Sequence, residues 1–169
     1  RCSTGAHGSE PLPVPLPVGG VFAGFRWLTT LRFGSQNFQH DVWALIVGLP
    51  QLTFLQFTNC DFASPHQLTG IPPQLASVVF NWCTTPNWLS RPWPGAKESK
   101  LISFHLWNTH MYEHVDKQFV ASLPGTLKEF VLVRNMLDTT DKSALDLLPD
   151  ACFSRFLGMD DDDEDQGGG

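Results

Sequence analysis

One short string in this chain carries the residue types that metal-dependent hydrolases use: His110-Met111-Tyr112-Glu113-His114. Zinc chemistry on such a string needs both histidines on one helical face as ligands, while the glutamate polarises a zinc-bound water. A third ligand, a carboxylate, arrives from a later helix. The string therefore raises the hypothesis of a zinc-dependent hydrolase that uses His110, Glu113 and His114.

The elements that would position this string follow a repeat. The same spacing of apolar residues occurs five times: one residue, a second three positions later and a third two positions after that. The triplets are Leu28-Leu31-Phe33, Leu52-Leu55-Phe57, Leu75-Val78-Phe80, Leu101-Phe104-Leu106 and Leu127-Phe130-Leu132. Successive triplets start 24, 23, 26 and 26 residues apart, within the period of roughly 20 to 29 residues typical of leucine-rich repeats. The spacing predicts an α/β fold, a leucine-rich repeat solenoid whose curved parallel sheet has about five or six short strands, with irregular helices or loops on the convex side.

The repeat puts the histidine string out of phase with a metal site. Met111 falls ten residues after Leu101, at a repeat position whose side chain is predicted to lie in the core. His110 is therefore predicted in the turn after a strand. Helix is predicted only from Glu113, and the two histidines then do not share a helical face. The chain also has no G-x-S-x-G sequence and no phosphate-binding glycine loop. We therefore expect no catalytic residues, no metal ligands and no cofactor, with the zinc hydrolase as the alternative.

Two further positions recur in every copy of the repeat, eight and ten residues after the first residue of the triplet. The equivalent residues of successive copies are here called a column. The first column holds Gln36, Cys60, Cys83, Thr109 and Asn135, and the second holds Phe38, Phe62, Thr85, Met111 and Leu137. In the first column a buried side chain that can hydrogen-bond satisfies backbone groups that the turn leaves unpaired. Cys60 and Cys83 are therefore predicted to be structural and unreactive, since a reactive cysteine needs an exposed electropositive setting.

The segments between the strands are predicted to differ in kind. Residues 41–49, 113–123 and 140–148 have the caps or apolar spacing of short helices. Residues 84–100 hold three prolines and are predicted to form an ordered loop, whose Trp88 and Trp93 either extend a binding surface or pin the loop to the body. Phe153 and Phe156 restart the triplet at the same offset from Leu127 as Leu127 has from Leu101, which predicts a degenerate sixth strand.

Composition divides the chain into three parts. Residues 1–24 are predicted to be a disordered Pro/Gly-rich linker, residues 25–157 the repeat domain, and residues 158–169 an acidic, Gly-ending disordered tail. The tail holds six of the 17 acidic residues and the whole net charge of −6, which leaves 11 acidic and 11 basic residues in the rest. A neutral body has no basic field to attract nucleic acid. The apolar runs are far shorter than the roughly 20 residues that a membrane span needs.

Cysteine usage indicates the compartment. Cys2, Cys60, Cys83 and Cys152 form no C-x-x-C pair, and no Asn-x-Ser/Thr sequence occurs. Both absences favour an intracellular protein of the cytoplasm or nucleus. The start at Arg1, without a basic flank that leads into an apolar core, predicts a fragment or a processed product.

The strands also predict a binding surface. Side chains alternate along a strand, so the positions between the triplet residues face the concave side of the sheet. Apolar residues there are mixed with hydrogen-bonding groups, which is the composition of a protein-binding patch. The alternative is that they serve strand propensity or are covered by another segment. The predicted partner-binding residues are Arg32, Phe54, Gln56, Val79, Asn81, His105, Trp107, Glu129, Val131 and Val133.

The triplets resemble irregular intracellular leucine-rich repeats, as in LTFLQFTNCDF at residues 52–62. The sequences GLPQL at 48–52 and TNCDF at 58–62 are similar to the repeat region of fungal F-box proteins, a resemblance that covers residues 25–157. It implies a substrate-recognition surface, and in that family an N-terminal F-box recruits Skp1 and a cullin ubiquitin ligase. Residues 1–24 are too short and too rich in Pro and Gly to form an F-box, so ligase membership requires a longer parent protein. A further alternative is a truncated gene product without selected function.

Metal analysis separates the two function classes. A repeat module is expected to purify without stoichiometric zinc, and His110→Ala is expected to leave its metal content unchanged, because the two histidines lie out of helical phase. Inductively coupled plasma mass spectrometry of the purified chain and of the variant measures both. Stoichiometric zinc that is lost in His110→Ala would overturn the repeat interpretation.

Overall fold

The computed structural model of the protein describes residues 24–38, 42–62, 68–84, 88–107, 116–133, 144 and 146–157, with the backbone alone for 153–157. These residues form an α/β fold of short strands, two short helices and one 3₁₀ turn. The elements are β1 (Thr30–Gly34), β2 (Asn37–Phe38), α1 (Val42–Val47), β3 (Phe54–Thr58), β4 (Asp61–Phe62), β5 (Ser77–Asn81), the 3₁₀ turn (Trp88–Ser90), β6 (Ser103–Trp107), α2 (Lys117–Ala121), β7 (Glu129–Val133) and β8 (Phe153–Leu157).

A parallel six-stranded sheet organises the described part of the chain, in the order β1-β3-β5-β6-β7-β8. Thr30 pairs with Phe54, Phe54 with Ser77, Ser77 with Ser103 and Ser103 with Glu129. Each offset between paired residues equals the offset between the corresponding triplet starts. The α/β class and the parallel sheet predicted from the spacing are therefore confirmed. A second, two-stranded parallel sheet pairs β2 with β4.

The sixth strand is present, but its predicted register is wrong by two positions. Phe153 pairs with Glu129 and Phe156 pairs with Leu132, whereas the predicted register places Phe153 opposite Leu127. Phe156 therefore takes the third triplet position, and Ser154 takes the second, opposite Phe130. The two phenylalanines have triplet spacing by themselves, and the backbone hydrogen bonds of the ladder decide which of the two alignments is used.

The triplet residues form one face of the sheet and the centre of the core. Leu55, Phe57, Phe104 and Leu132 are at most 1% exposed, whereas the strand positions between triplet residues are more exposed in β1, β3 and β5. Ile46 of α1 belongs to the same buried cluster, as do Phe119 and Val120 of α2. The connecting segments therefore pack against the triplet face, and the opposite face is left to carry a site. In the outer strand β1 the triplet residues are only partly buried.

Aromatic rings stack along the triplet columns, and the stack changes column between β5 and β6. Phe33, Phe57 and Phe80 occupy the third triplet position, with near-parallel rings 5.1 and 5.3 Å apart. In β6 and β7 the aromatic residues are Phe104 and Phe130 of the second position, stacked 5.6 Å apart. Aliphatic residues fill the complementary positions of each strand. Each repeat thus supplies one ring and one aliphatic side chain to the core, which keeps the packed volume similar from strand to strand.

The helix predictions are confirmed in part. Helix α1 lies inside the predicted range 41–49, and α2 begins at Lys117, later than the predicted 113–123. The Asp116 carboxylate accepts a hydrogen bond from the Gln118 N–H at 2.7 Å and caps α2. Residues 113–115 lie outside the described residues, as does the predicted helix 140–148 except for Ala144 and a turn at 146–148. Among the described residues no helix is long and apolar enough to span a bilayer.

The loop before β6 is pinned to the body by its tryptophans, and this decides between the two predicted roles. Trp88 and Trp93 are 6% and 1% exposed. The Nε1 atoms of Trp43 and Trp93 both donate to the Gly70 carbonyl oxygen, at 2.5 and 2.8 Å. The Trp93 N–H also donates to Ser122 Oγ at the end of α2. Trp88 and Trp93 are therefore core residues, as the alternative in which they pin the loop to the body predicts, and they do not extend a binding surface.

Trp93→Ala is expected to lower the free energy of unfolding by about 3–5 kcal/mol, because it removes a buried ring and leaves a cavity. The matched control is Trp27→Ala, which removes the same side chain at a position that is 85% exposed and should cost less than about 0.5 kcal/mol. Urea denaturation followed by far-ultraviolet circular dichroism measures both. Equal losses in the two variants would contradict the burial of the loop.

Candidate functional site

The sheet face opposite the triplets, here called the non-triplet face, presents three rows of side chains. Parallel pairing in register brings corresponding residues of neighbouring strands side by side, about 4.8 Å apart. The first row is Thr30, Phe54, Ser77, Ser103 and Glu129; the second is Arg32, Gln56, Val79, His105 and Val131; the third is Gly34, Thr58, Asn81, Trp107 and Val133. All ten predicted partner-binding residues therefore lie on one face.

Exposure differs along this face. Arg32 and Glu129 are exposed, and the six predicted residues of β3, β5 and β6 are half-buried. Val131 and Val133 are buried, at 6% and 7% exposure. These two valines add little accessible surface, so the accessible part of the face runs from β1 to β6 and ends at Glu129.

Polar groups on the face are already hydrogen-bonded to one another. Ser103 Oγ donates to Ser77 Oγ at 2.7 Å, across β5 and β6. Gln56 Nε2 donates to Thr58 Oγ1 at 3.2 Å along β3. His105 Nε2 lies 3.1 Å from Glu129 Oε2 across β6 and β7. These bonds hold the side chains in fixed conformations, so a partner would meet a partly preorganised surface.

Two aromatic side chains anchor the two halves of the face. The Arg32 guanidinium lies over the ring of Phe54, 5.2 Å from its centroid, in cation–π geometry. The ring centroids of His105 and Trp107 are 6.2 Å apart. Each half-buried aromatic thus has a cationic or hydrogen-bonding neighbour, and together they offer apolar area beside polar groups. A surface of this composition can bind another macromolecule.

The turns that end β1, β3 and β5 share an unusual backbone conformation. Ser35, Asn59 and Trp82 have φ values of 51°, 53° and 54°, in the left-handed region that L-residues seldom adopt. Each N–H donates to the last carbonyl of the next sheet strand, at 2.8 to 2.9 Å. These bonds hold the conformation at all three positions. Sequence reasoning missed this feature, for which Asn59 is the one local signal, since Asn tolerates the left-handed region.

A shallow hollow of about 350 Å³ lies beside these turns. Its lining includes Ser35, Asn59, Cys60, Asp61 and Trp82. Trp82 is 51% exposed. The hollow is bordered by hydrogen-bonding side chains and one indole, and it follows directly on the third row of the non-triplet face.

The column cysteines occupy the predicted buried positions behind these turns. Cys60 and Cys83 are 2% and 0% exposed, and each Sγ lies 3.4 Å from the carbonyl oxygen two residues earlier, of Thr58 and Asn81. The neighbouring Cys83 side chain lowers the pKa of the Cys60 thiol below its usual value, although burial opposes the shift. The same interaction, together with burial, raises the pKa of Cys83. The structural role of both residues agrees with their position, while the depressed Cys60 pKa was not expected.

The histidine string cannot be placed in this geometry. His110, Glu113 and His114 lie outside the described residues, as do Thr85, Thr109, Met111, Asn135 and Leu137 of the repeat columns. Within the ranges that the structure describes, no group of three His, Cys, Asp or Glu side chains could hold a metal ion.

Comparison with known proteins does not assign the chain to a family. No family model, no curated protein and no solved structure matches the chain. The function therefore has to be argued from the residues of the sheet and its turns.

The serine pair of the first row should be energetically coupled. Ser77→Ala and Ser103→Ala together are expected to cost less than the sum of the single variants, with a coupling of about 1 kcal/mol, because either change removes the same hydrogen bond. Urea denaturation of the four proteins gives the value. Thr30→Ala with Ser77→Ala is the control, since these side chains lie two strands apart and should be additive. Additivity of the serine pair would contradict the bond.

Proposed function

We propose that this chain is a non-enzymatic leucine-rich repeat module that binds a protein through the non-triplet face. The observation that carries the proposal is the set of three in-register rows, which place half-buried Phe54 and Trp107 among hydrogen-bonding side chains. Among the predicted partner-binding residues, the accessible ones are Arg32, Phe54, Gln56, Val79, Asn81, His105, Trp107 and Glu129.

The repeat assignment rests on the regularity of the unit. Within the described residues β1, β3 and β5 each end in a left-handed turn, and successive sheet strands pair in register at the same offsets as the triplets. Each unit contacts its sequence neighbours through the sheet and buries its triplet against them. This nearest-neighbour arrangement supports the solenoid proposal, because each repeat of a solenoid contacts only its neighbours. A solenoid presents one side chain per unit in every row, which suits an extended recognition surface.

A protein is the partner class that the chemistry favours. The face mixes aromatic, amide, hydroxyl and charged groups and has no large field of one sign, as protein interfaces do. Aromatic residues supply most of the binding energy in such interfaces when polar neighbours exclude water around them. A nucleic acid would need a basic surface, and the only basic side chain among the accessible residues of the face, besides His105, is Arg32.

We extend the proposal to the substrate-recognition part of an F-box ubiquitin ligase on the strength of the sequence resemblance alone. In that role the non-triplet face would hold the protein to be ubiquitinated, and Skp1 and a cullin would bind an F-box elsewhere in the parent protein. Extending the reading frame upstream of Arg1 tests this extension directly. An open frame that encodes no F-box would remove the ligase role and leave the binding proposal intact.

Trp107→Ala and Phe54→Ala are each expected to leave the fold intact and to weaken partner capture by about tenfold or more, as loss of an interface aromatic does. The full chain and its variants are immobilised in equal amounts, and proteins captured from cell extract are quantified by mass spectrometry. Trp27→Ala is the matched control, since Trp27 is exposed but precedes β1 and lies off the three rows.

A partner of the face is recognised by its response to the three variants. It should be depleted by both Trp107→Ala and Phe54→Ala and retained by Trp27→Ala, and its binding should then be confirmed with purified components. Circular dichroism and thermal unfolding of each variant establish that the fold is preserved. Capture profiles that are identical for the wild-type chain and both folded face variants would count against the non-triplet face.

A further inference from the structure

Cys60 and Cys83 directly precede Asp61 and Thr84, which form a parallel bridge, so the two cysteines are neighbours in register although they belong to different repeats of the sequence. They occupy the same column of consecutive units, directly after the left-handed turns of β3 and β5. The Thr84 N–H donates to the Cys60 carbonyl oxygen at 3.0 Å, so the backbone continues the parallel pairing past the ends of the strands. Strands paired in this way lie about 4.8 Å apart, within the Cα separation of about 4.4 to 6.8 Å that a disulfide requires.

We propose that Cys60 and Cys83 form a reactive dithiol, a modification site at which a peroxide produces an intrachain disulfide between adjacent repeats. The proposal rests on the in-register placement of the two thiols and on the hollow in front of one of them. It is independent of the protein-binding proposal, because it needs no partner.

The geometry gives the two cysteines different roles. Cys60 lines the hollow beside Asn59 and Trp82 and is 2% exposed. Cys83 is fully buried and does not line the hollow. Cys60 is therefore the residue that meets the oxidant, and Cys83 is the resolving thiol that follows. The directions of the two pKa shifts support this order, since the pKa of Cys60 is lowered and that of Cys83 is raised, and the thiolate is the nucleophile.

The reaction balances with hydrogen peroxide as the oxidant. The Cys60 thiolate attacks one peroxide oxygen, the O–O bond breaks, and the departing hydroxide takes up a proton to form water. Cys60 is now a sulfenic acid. The Cys83 sulfur then attacks the Cys60 sulfur, the S–O bond breaks, and the hydroxyl leaves as water with the Cys83 proton. Two thiols are oxidised to one disulfide, and one peroxide is reduced to two waters.

The bond would act on the turns that border the non-triplet face. The carbonyl groups that approach the two thiols belong to Thr58 and Asn81, both in the third row. A disulfide would replace the contact between the thiols by a covalent link and would fix the spacing of these two residues. Oxidation is thus expected to stiffen the edge of the face where Trp82 and the hollow lie.

The test exposes the full native chain to hydrogen peroxide, followed by thiol labelling and peptide mapping without reductant. Cys60 and Cys83 are expected to become linked and to lose labelling about tenfold faster than Cys152, whose pKa is raised by burial and by the Glu129 charge. The rate should rise with pH and level off at a lower pH for Cys60 than for Cys152, because the pKa of the Cys60 thiol is lowered and that of Cys152 is raised.

Three variants assign the roles. Cys83→Ser should accumulate sulfenic acid at Cys60, which dimedone traps, whereas Cys60→Ser should leave Cys83 unoxidised. Cys152→Ser is the matched control and should still form the link. Thermal unfolding of each variant checks the fold, and Cys83→Thr replaces Cys83→Ser if the serine variant does not fold, since Thr109 occupies the same repeat column.

The wild-type measurement decides the question even if a variant is unstable. The proposal is overturned if Cys60 and Cys152 lose labelling at equal rates in the native chain. It is also overturned if the Cys60–Cys83 link forms only in urea, or if Cys60 pairs with Cys2 instead.

Discussion

The register of the parallel ladder is the constraint on which the rest of this structure depends. Each sheet strand receives its backbone hydrogen bonds from the strands of the adjacent units, and a slip by one residue would exchange the triplet face for the opposite face. The returns differ in length from unit to unit, yet the strands stay aligned. The same alignment that buries Phe57 against Phe80 brings Gln56 beside Val79, so core and candidate site have one origin.

The parts of the fold that repeat were predictable from the sequence, because a period of similar length imposes the same role on equivalent residues. Strand positions, pairing and the buried placement of Cys60 followed from the triplet spacing. The alignment of β8 did not, since Phe153 and Phe156 satisfy the spacing in a register that the backbone does not use. The burial of Trp88 and Trp93 could not be predicted either, because a loop without a repeating pattern does not indicate whether an indole points into the core or into solvent.

The sequence predicts which residues share the face of the candidate site, but not how buried they are or which of them contact one another. Alternation along the strands identifies every residue that lies opposite the triplets. It does not reveal that Val131 and Val133 are buried, nor that His105 lies beside Glu129, because both depend on contacts between different units. The left-handed turns could not be predicted either, since Ser35 and Trp82 adopt a backbone conformation that serine and tryptophan seldom favour.

The aromatic residue of the triplet is the third one in β1, β3 and β5 and the second one in β6 and β7, so the units form two groups. This division bears on how units could be gained or lost during evolution. Loss of the β5 unit would set Leu55 and Phe57 beside Phe104 and Leu106, a junction like the present one, in which Val78 stands in place of Leu55. Exchange of units between the groups would instead create several such junctions, each with rings facing aliphatic side chains. Duplication and deletion within a group therefore keep a single junction of this kind, whereas shuffling across the boundary adds more.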